Sequence, residues 1–261
     1  MAKKIERTYI GSFDDAVEFW APDGNYIHNI SGFSQWIVTN TRKIFVRDYR
    51  EDDPFVATGK GYLGVLSRTK AHIRKRLKDG LIDEVKSSGV QYGRAKDITG
   101  DVVCVDVRSA YITAALHIGA LSDGMYRMLR GCSKKTRLAA IGTLASKRNV
   151  ITYVNGERVD FAVVEDLELT VVYKRIIDRL NLDVRAVSTS IGNDFIAYWV
   201  DNFYCIRGSE IKSQDYFRQL GYETKITEGM SCGMKSALNA VAEYPCSITS
   251  ATPARPATIA I

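Results

Sequence analysis

The run Val102-Val103-Cys104-Val105-Asp106 ends an apolar stretch on a single carboxylate, with Ser109 three residues on and Tyr111 five residues on. An oily segment of this length reads as a buried strand, and Asp106 sits where such a strand leaves its sheet. A carboxylate held there is costly unless a cation or a metal compensates it. The stretch from Phe195 to Cys205 repeats the design, with Asp201 its one acidic residue among apolar and aromatic neighbours. Two strand-borne aspartates so far apart in sequence point to a shared Mg²⁺ site, with Mn²⁺ as the alternative ion.

The elements that must position these residues follow from local pattern. Residues 1–60 are β-rich, as in Trp36-Ile37-Val38 and Lys43-Ile44-Phe45-Val46. Residues 62–86 are helical around the basic cluster Arg74, Lys75, Arg76 and Lys78. A strand at about 101–107 carries Asp106, and a helical block follows over 109–148, broken near Gly119, Gly124 and Gly131. Asn155-Gly156 between alternating runs marks a hairpin over Ile151 to Phe161. Apolar residues at helical spacing from Leu167 to Leu180 predict a helix. Strands are expected at about 183–189 and 195–206, joined by Gly192-Asn193-Asp194, then a short helix at 211–219 and a strand at 222–226. A last helix is expected at about 232–243. The final 17 residues hold three of the five prolines and read as a flexible tail.

Composition narrows the classes. A chain of 261 residues with 46% hydrophobic and 25% charged content is ordinary for a globular protein with a sizeable core. A net charge of +6 permits a polyanionic partner without requiring one. Five cysteines without CxxC spacing argue against a disulfide framework or a zinc site, and the three histidines form no ligand pair. With no apolar leader and no run of spanning length, the expected location is the cytoplasm, with no membrane partner.

From residue 101 onward the order is a strand with Asp, helices, a long helix, a strand pair with Asp, and a basic strand. This resembles the palm of a nucleic-acid polymerase. Residue by residue it is similar to the family B DNA polymerases, including their protein-primed branch. Their motif D-x-x-S-L-Y-P-S is matched by Asp106, Ser109, Tyr111 and Thr113, with Ala110 and Ile112 replacing Leu and Pro. K-x-x-x-N-S-x-Y-G is matched at its ends by Lys134 and Gly142, while Leu138, Ala139 and Ile141 depart from it. In Y-x-D-T-D-S the second Asp is Asp201, and Trp199 replaces the first. Lys225 resembles the lysine that these enzymes place near the primer end.

The resemblance implies template-directed DNA synthesis by a minimal nucleotidyltransferase that uses two divalent ions. Phosphoryl transfer of this kind needs ions about 3.5–4 Å apart, so two opposed carboxylates are the minimum. Asp106 and Asp201 would hold them with the Val107 carbonyl. Tyr111 would select the sugar; Ser109, Lys134 and Gly142 would contribute to the nucleotide site; and Lys225 would steady the primer. Arg74, Lys75, Arg76 and Lys78 would contact DNA phosphates without reading sequence. Partners would be a DNA primer-template, dNTPs and a protein primer or accessory replication protein. A virus or mobile element is the setting that such economy suggests, and the host cytoplasm would then be the location.

The segment from Tyr26 to Phe33 is similar to the H-N-x-x-x-F-D motif of proofreading exonucleases. Ser34 stands at its metal-binding Asp, so no proofreading is expected. The expected architecture is α+β: a palm-like antiparallel sheet with helices on one face, a helical fingers insertion at about 112–148, and a small N-terminal β-rich region. Its divisions are 1–100 with the basic helix, 101–228 for palm and fingers, 229–244 as a reduced thumb, and 245–261 as the tail. Two other classes stay open: a catalytically silent palm-like protein that binds nucleic acid or a replication partner, and a primase- or reverse-transcriptase-like nucleotidyltransferase.

Overall fold

The structure, a computed structural model, describes residues 5–31, 34–47, 62–86, 101–199 and 201–228. The helix expected at 229–244 and the tail at 245–261 lie outside the described residues. The chain is an α+β protein of two compact units, one formed by Met1–Ala71 with Leu138–Tyr173 and the other by His72–Arg137 with Lys174–Ile261. Among the described residues no helix is long and apolar enough to cross a membrane.

The first unit is built on a six-stranded mixed sheet. Its strands are β1 (Ile5–Ile10), β2 (Tyr26–Ser31), β3 (Ser34–Val38), β4 (Arg42–Arg47), β6 (Lys147–Val154) and β7 (Glu157–Glu165), in the order β1-β4-β3-β2-β6-β7. Only the β1–β4 pair is parallel. The hairpin signal is met: Asn155 and Gly156 both have positive φ, 51° and 82°, as a tight turn matching strand twist requires. That hairpin pairs with β2, so residues the sequence reading grouped with the palm instead extend the N-terminal sheet. Helix α1 (Phe13–Trp20) starts on Ser12, whose Oγ accepts the Asp15 N–H at 3.1 Å. Its Ala16 packs with Ala21, Ile37, Ile44 and Val46. His28 is buried here, stacked on Phe13 at 3.8 Å and sharing a 2.9 Å hydrogen bond with Gln35. Burial lowers its pKa, so at neutral pH it is a packed imidazole.

Helix α2 (Tyr62–Lys78) carries the basic cluster, as its pattern predicts. The second unit is built on a four-stranded antiparallel sheet of β5 (Val102–Arg108), β8 (Phe195–Trp199), β9 (Asn202–Ile206) and β10 (Glu223–Glu228), in the order β10-β5-β9-β8. Its helices α3 (Ala110–His117), α4 (Asp123–Arg130) and α7 (Glu210–Gln219) lie wholly within it, whereas α5 (Lys134–Gly142) and α6 (Leu167–Ile191) each run between the two units.

Alternation gives this sheet two different faces. Val103, Val105 and Val107 on β5, with Phe203 and Cys205 on β9, form a fully buried face. Helix α7 covers it through Phe217, whose ring meets Phe203 at 5.3 Å and Tyr222 at 6.0 Å. Cys104, Asp106, Asn202 and Tyr204 occupy the other face.

Two expectations are corrected. The strand placed at 183–189 is the second half of α6. Its buried residues Val184, Val187 and Ile191 continue the helical stripe of Leu169, Val172, Ile176 and Leu180, and this periodicity prevails over the β-propensity of Val, Ser and Thr. The strand placed at 195–206 is a hairpin, with Asp201 in the turn between β8 and β9.

Helix α6 also buries Asp183, whose side chain is only 4% exposed. Its carboxylate accepts from Arg179 at 2.9 and 3.1 Å and from the Tyr222 hydroxyl at 2.7 Å, and His117 lies at 3.4 Å. One buried charge thereby ties α3, α6 and the approach to β10.

Candidate functional site

Asp106 and Asp201 come together in the second unit. Asp106 is half-buried on β5, and Asp201 sits one residue before β9. They meet because β5 pairs antiparallel with β9: the Val107 N–H donates to the Asp201 carbonyl at 2.7 Å, and Asp106 lies opposite Asn202. On its other side Asp106 lies opposite Lys225 of β10. Directly opposed residues share a face, which puts Lys225, Asp106 and Asn202 in one row. Strand β10 is held to α4 by a bidentate pair, Arg130 to Glu223 at 2.7 and 2.8 Å.

A third strand-external element completes the cluster. Lys134, at the start of α5, donates from Nζ to Asp201 Oδ2 at 3.1 Å. Asn202 Nδ2 donates to Asp201 Oδ1 at 3.2 Å. The Cys104 thiol, two residues before Asp106, donates in turn to Asn202 Oδ1 at 3.3 Å. Burial, reinforced by the negative charge of Asp106, pushes that thiol up to about 11, so it acts as a neutral donor.

The electrostatics mark Asp106 as the strained member. Burial, then the charge of Asp201, raise its pKa, and the opposing pull of Lys134, Arg108 and Lys225 does not cancel them. A carboxyl whose folded pKa is raised costs stability at neutral pH and regains it as pH falls through the folded value. Asp106→Asn is therefore expected to raise the melting temperature by about 1–3 °C at pH 7. Differential scanning calorimetry checks this, and a lower melting temperature would contradict it.

Around this core the other sequence-predicted residues divide. Ser109 takes a left-handed conformation, φ 56° and ψ 28°, between β5 and α3, and its side chain makes no capping bond. A non-glycine residue in this conformation costs energy and persists only where the surrounding structure holds it. Tyr111 is half-buried two residues on, near the buried Tyr198, whose hydroxyl pKa is raised well above its ordinary value by burial first and by Tyr111 second. Thr113 is buried, with its Oγ1 3.3 Å from the Tyr126 hydroxyl, a packing role. Trp199, opposite Asn202 on β8, is partly buried and packs against the cluster of Cys104, Ile196, Ala197 and Tyr204. Gly142 ends α5 and belongs to the first unit. Of the basic cluster, Arg74, Lys75 and Lys78 are exposed, whereas Arg76 is half-buried and bonds the Gly119 carbonyl.

The residues that sequence reasoning missed are Asn202 and Cys104. Their spacing from the aspartates carries no chemical signature, and only the β5–β9 register aligns them with the site.

The donor set suits a hard divalent ion. It offers two carboxylates within each other's field, one of them already balanced by an ammonium group. Among the described residues no group of three or more His, Cys, Asp or Glu side chains is placed to hold a metal. Mg²⁺ is commonly bound through one or two carboxylates plus substrate phosphates rather than by an all-protein cage. The residues therefore fit Mg²⁺ that is shared with a polyphosphate. Comparison of the chain with family models, with curated proteins and with solved structures finds no match in any of the three.

Proposed function

We propose that this chain is a nucleotidyltransferase that extends a primer along a template, a minimal DNA polymerase resembling those of family B. The observation that carries the reading is the convergence of Asp106, Asp201, Lys134 and Lys225 on one side of a four-stranded antiparallel sheet.

In this reading the primer 3′-oxygen attacks the α-phosphorus of a dNTP, and the bond to the β-phosphate breaks to release pyrophosphate. Asp106 and Asp201 would hold Mg²⁺ or Mn²⁺, which when bound would supply charge neutralisation and lower the pKa of the attacking hydroxyl. Lys134 binds triphosphate oxygens from the start of α5 and stabilises the charge that shifts onto the leaving group. Lys225, exposed beside Asp106 on the outer strand, holds the primer backbone. Tyr111, on the helix that leaves β5, lies under the incoming sugar. Asn202 orients Asp201, and its own amide is fixed by Cys104. Arg74, Lys75 and Lys78 add salt-sensitive contacts with phosphates.

A second reading, a silent palm-like protein that binds nucleic acid, is favoured by one observation: Trp199 packs, partly buried, against a core cluster where a further carboxylate would stand. A primer-extension assay separates the two. With dNTPs and Mg²⁺ on a primed single-stranded DNA template, template-dependent extension is expected. Folded protein that binds the primer-template equally with and without Mg²⁺, and extends nothing, would favour the silent reading. Extension of RNA templates, or de novo synthesis from NTPs, would move the assignment to a reverse transcriptase or a primase.

A further inference from the structure

We propose that Lys134 is the resident counter-cation of the free site and must release Asp201 before a divalent ion binds there. The inference rests on the metal-dependent reading above and concerns the site before substrate arrives.

Both carboxylate oxygens of Asp201 are engaged, by partners of different character. The Asn202 amide on Oδ1 is neutral, comes from the adjacent residue and is anchored by the Cys104 thiol. It fixes the plane of the carboxylate without competing electrostatically with a cation. Lys134 on Oδ2 is charged, and its side chain is 67% exposed against 19% for Asp201. An ammonium on a flexible four-carbon stem leaves such a partner readily, because water and other anions accept its hydrogen bonds.

The charge balance sets the order of events. Asp106 lies in the field of Asp201, Lys134, Lys225 and Arg108, so among the described residues the free site presents no net negative charge to attract a divalent ion. A triphosphate changes this. It offers Lys134 a more highly charged partner than one carboxylate, and the transfer of Lys134 to the phosphates frees Asp201 Oδ2 for the ion. Lys134 therefore opposes the ion when nucleotide is absent and supports the nucleotide when it is present. A side chain with a merely structural role would not produce opposite signs in these two measurements.

The test is Mn²⁺ titration of the full chain, followed by the loss of the free-ion EPR signal, for wild type, Lys134→Gln and Asp201→Asn. Lys134→Gln is expected to bind Mn²⁺ about fivefold more tightly than wild type without nucleotide, the scale of one partly exposed ion pair. In saturating Mn²⁺ it is expected to bind dATP more weakly. Asp201→Asn is expected to lose most Mn²⁺ binding. If Lys134→Gln binds Mn²⁺ no more tightly than wild type while Asp201→Asn loses it, the competition is overturned and the metal reading stands. If Asp201→Asn binds Mn²⁺ as wild type does, the metal reading fails and the inference fails with it.

Discussion

Asp183→Ala is expected to destabilise the protein by about 2–4 kcal/mol, far more than any surface substitution, because it removes one buried charge that serves three donors. The Tyr222 hydroxyl, in a buried ring, would lose its 2.7 Å acceptor. Arg179 would lose a two-point ion pair at 2.9 and 3.1 Å, although its 36% exposure lets water recover part of that loss. The packing of His117 against Tyr222, with ring centroids 5.2 Å apart, is fixed by the same carboxylate. Asp183→Asn keeps the shape and one acceptor oxygen, so it should cost roughly half as much. Urea unfolding monitored by tyrosine and tryptophan fluorescence gives both values.

The pH dependence has a definite sign. Burial alone would raise the Asp183 carboxyl, but hydrogen bonds from His117 and Tyr222 and the charge of Arg179 outweigh it and hold the group below its ordinary value. A depressed carboxyl contributes stability that is complete above the unfolded-state pKa and is lost as pH falls through the folded one. Wild type should therefore lose stability relative to Asp183→Ala below about pH 4. The two should differ by a constant amount from about pH 5 to 8. A difference that is the same at pH 2.5 and at pH 7 would contradict the assignment of this network.

Much of the candidate site is legible in the sequence because strands announce themselves locally. The oily run before Asp106 is a strand, and its alternation is enough to place Asp106 on the face opposite Val105 and Val107. Asp201 is legible as the one charge in an apolar stretch, but its place in a turn is not. Two strands joined by a short connection look like one long strand when nearly every neighbour is apolar or aromatic. Asn202 and Cys104 are illegible for another reason: an amide and a thiol acquire meaning only from what register sets beside them. The second half of α6 is hidden because Val184, Val187 and Ser188 also suit a strand, and only the continuation of the stripe from Leu169 decides for helix. The β6–β7 hairpin is plain from Asn155-Gly156, yet nothing local says that β6 pairs with β2, more than a hundred residues earlier.

Asp106→Asn and Asp201→Asn are each expected to reduce primer extension by about 10³-fold or more, because each removes a carboxylate that would hold the divalent ion whose charge opposes that of the transferring phosphoryl group. Neither loss should arise from unfolding. Asp106→Asn relieves a carboxyl that burial and Asp201 disfavour, and Asp201 is a turn residue whose amide counterpart retains a bond to Asn202. The decisive measurement is extension of a primed single-stranded DNA template with dNTPs and Mg²⁺ by wild type and both variants, each shown to be folded by calorimetry. Extension by wild type that both substitutions abolish is the predicted result. Extension that either variant retains at more than about a tenth of the wild-type rate would contradict a shared two-aspartate site.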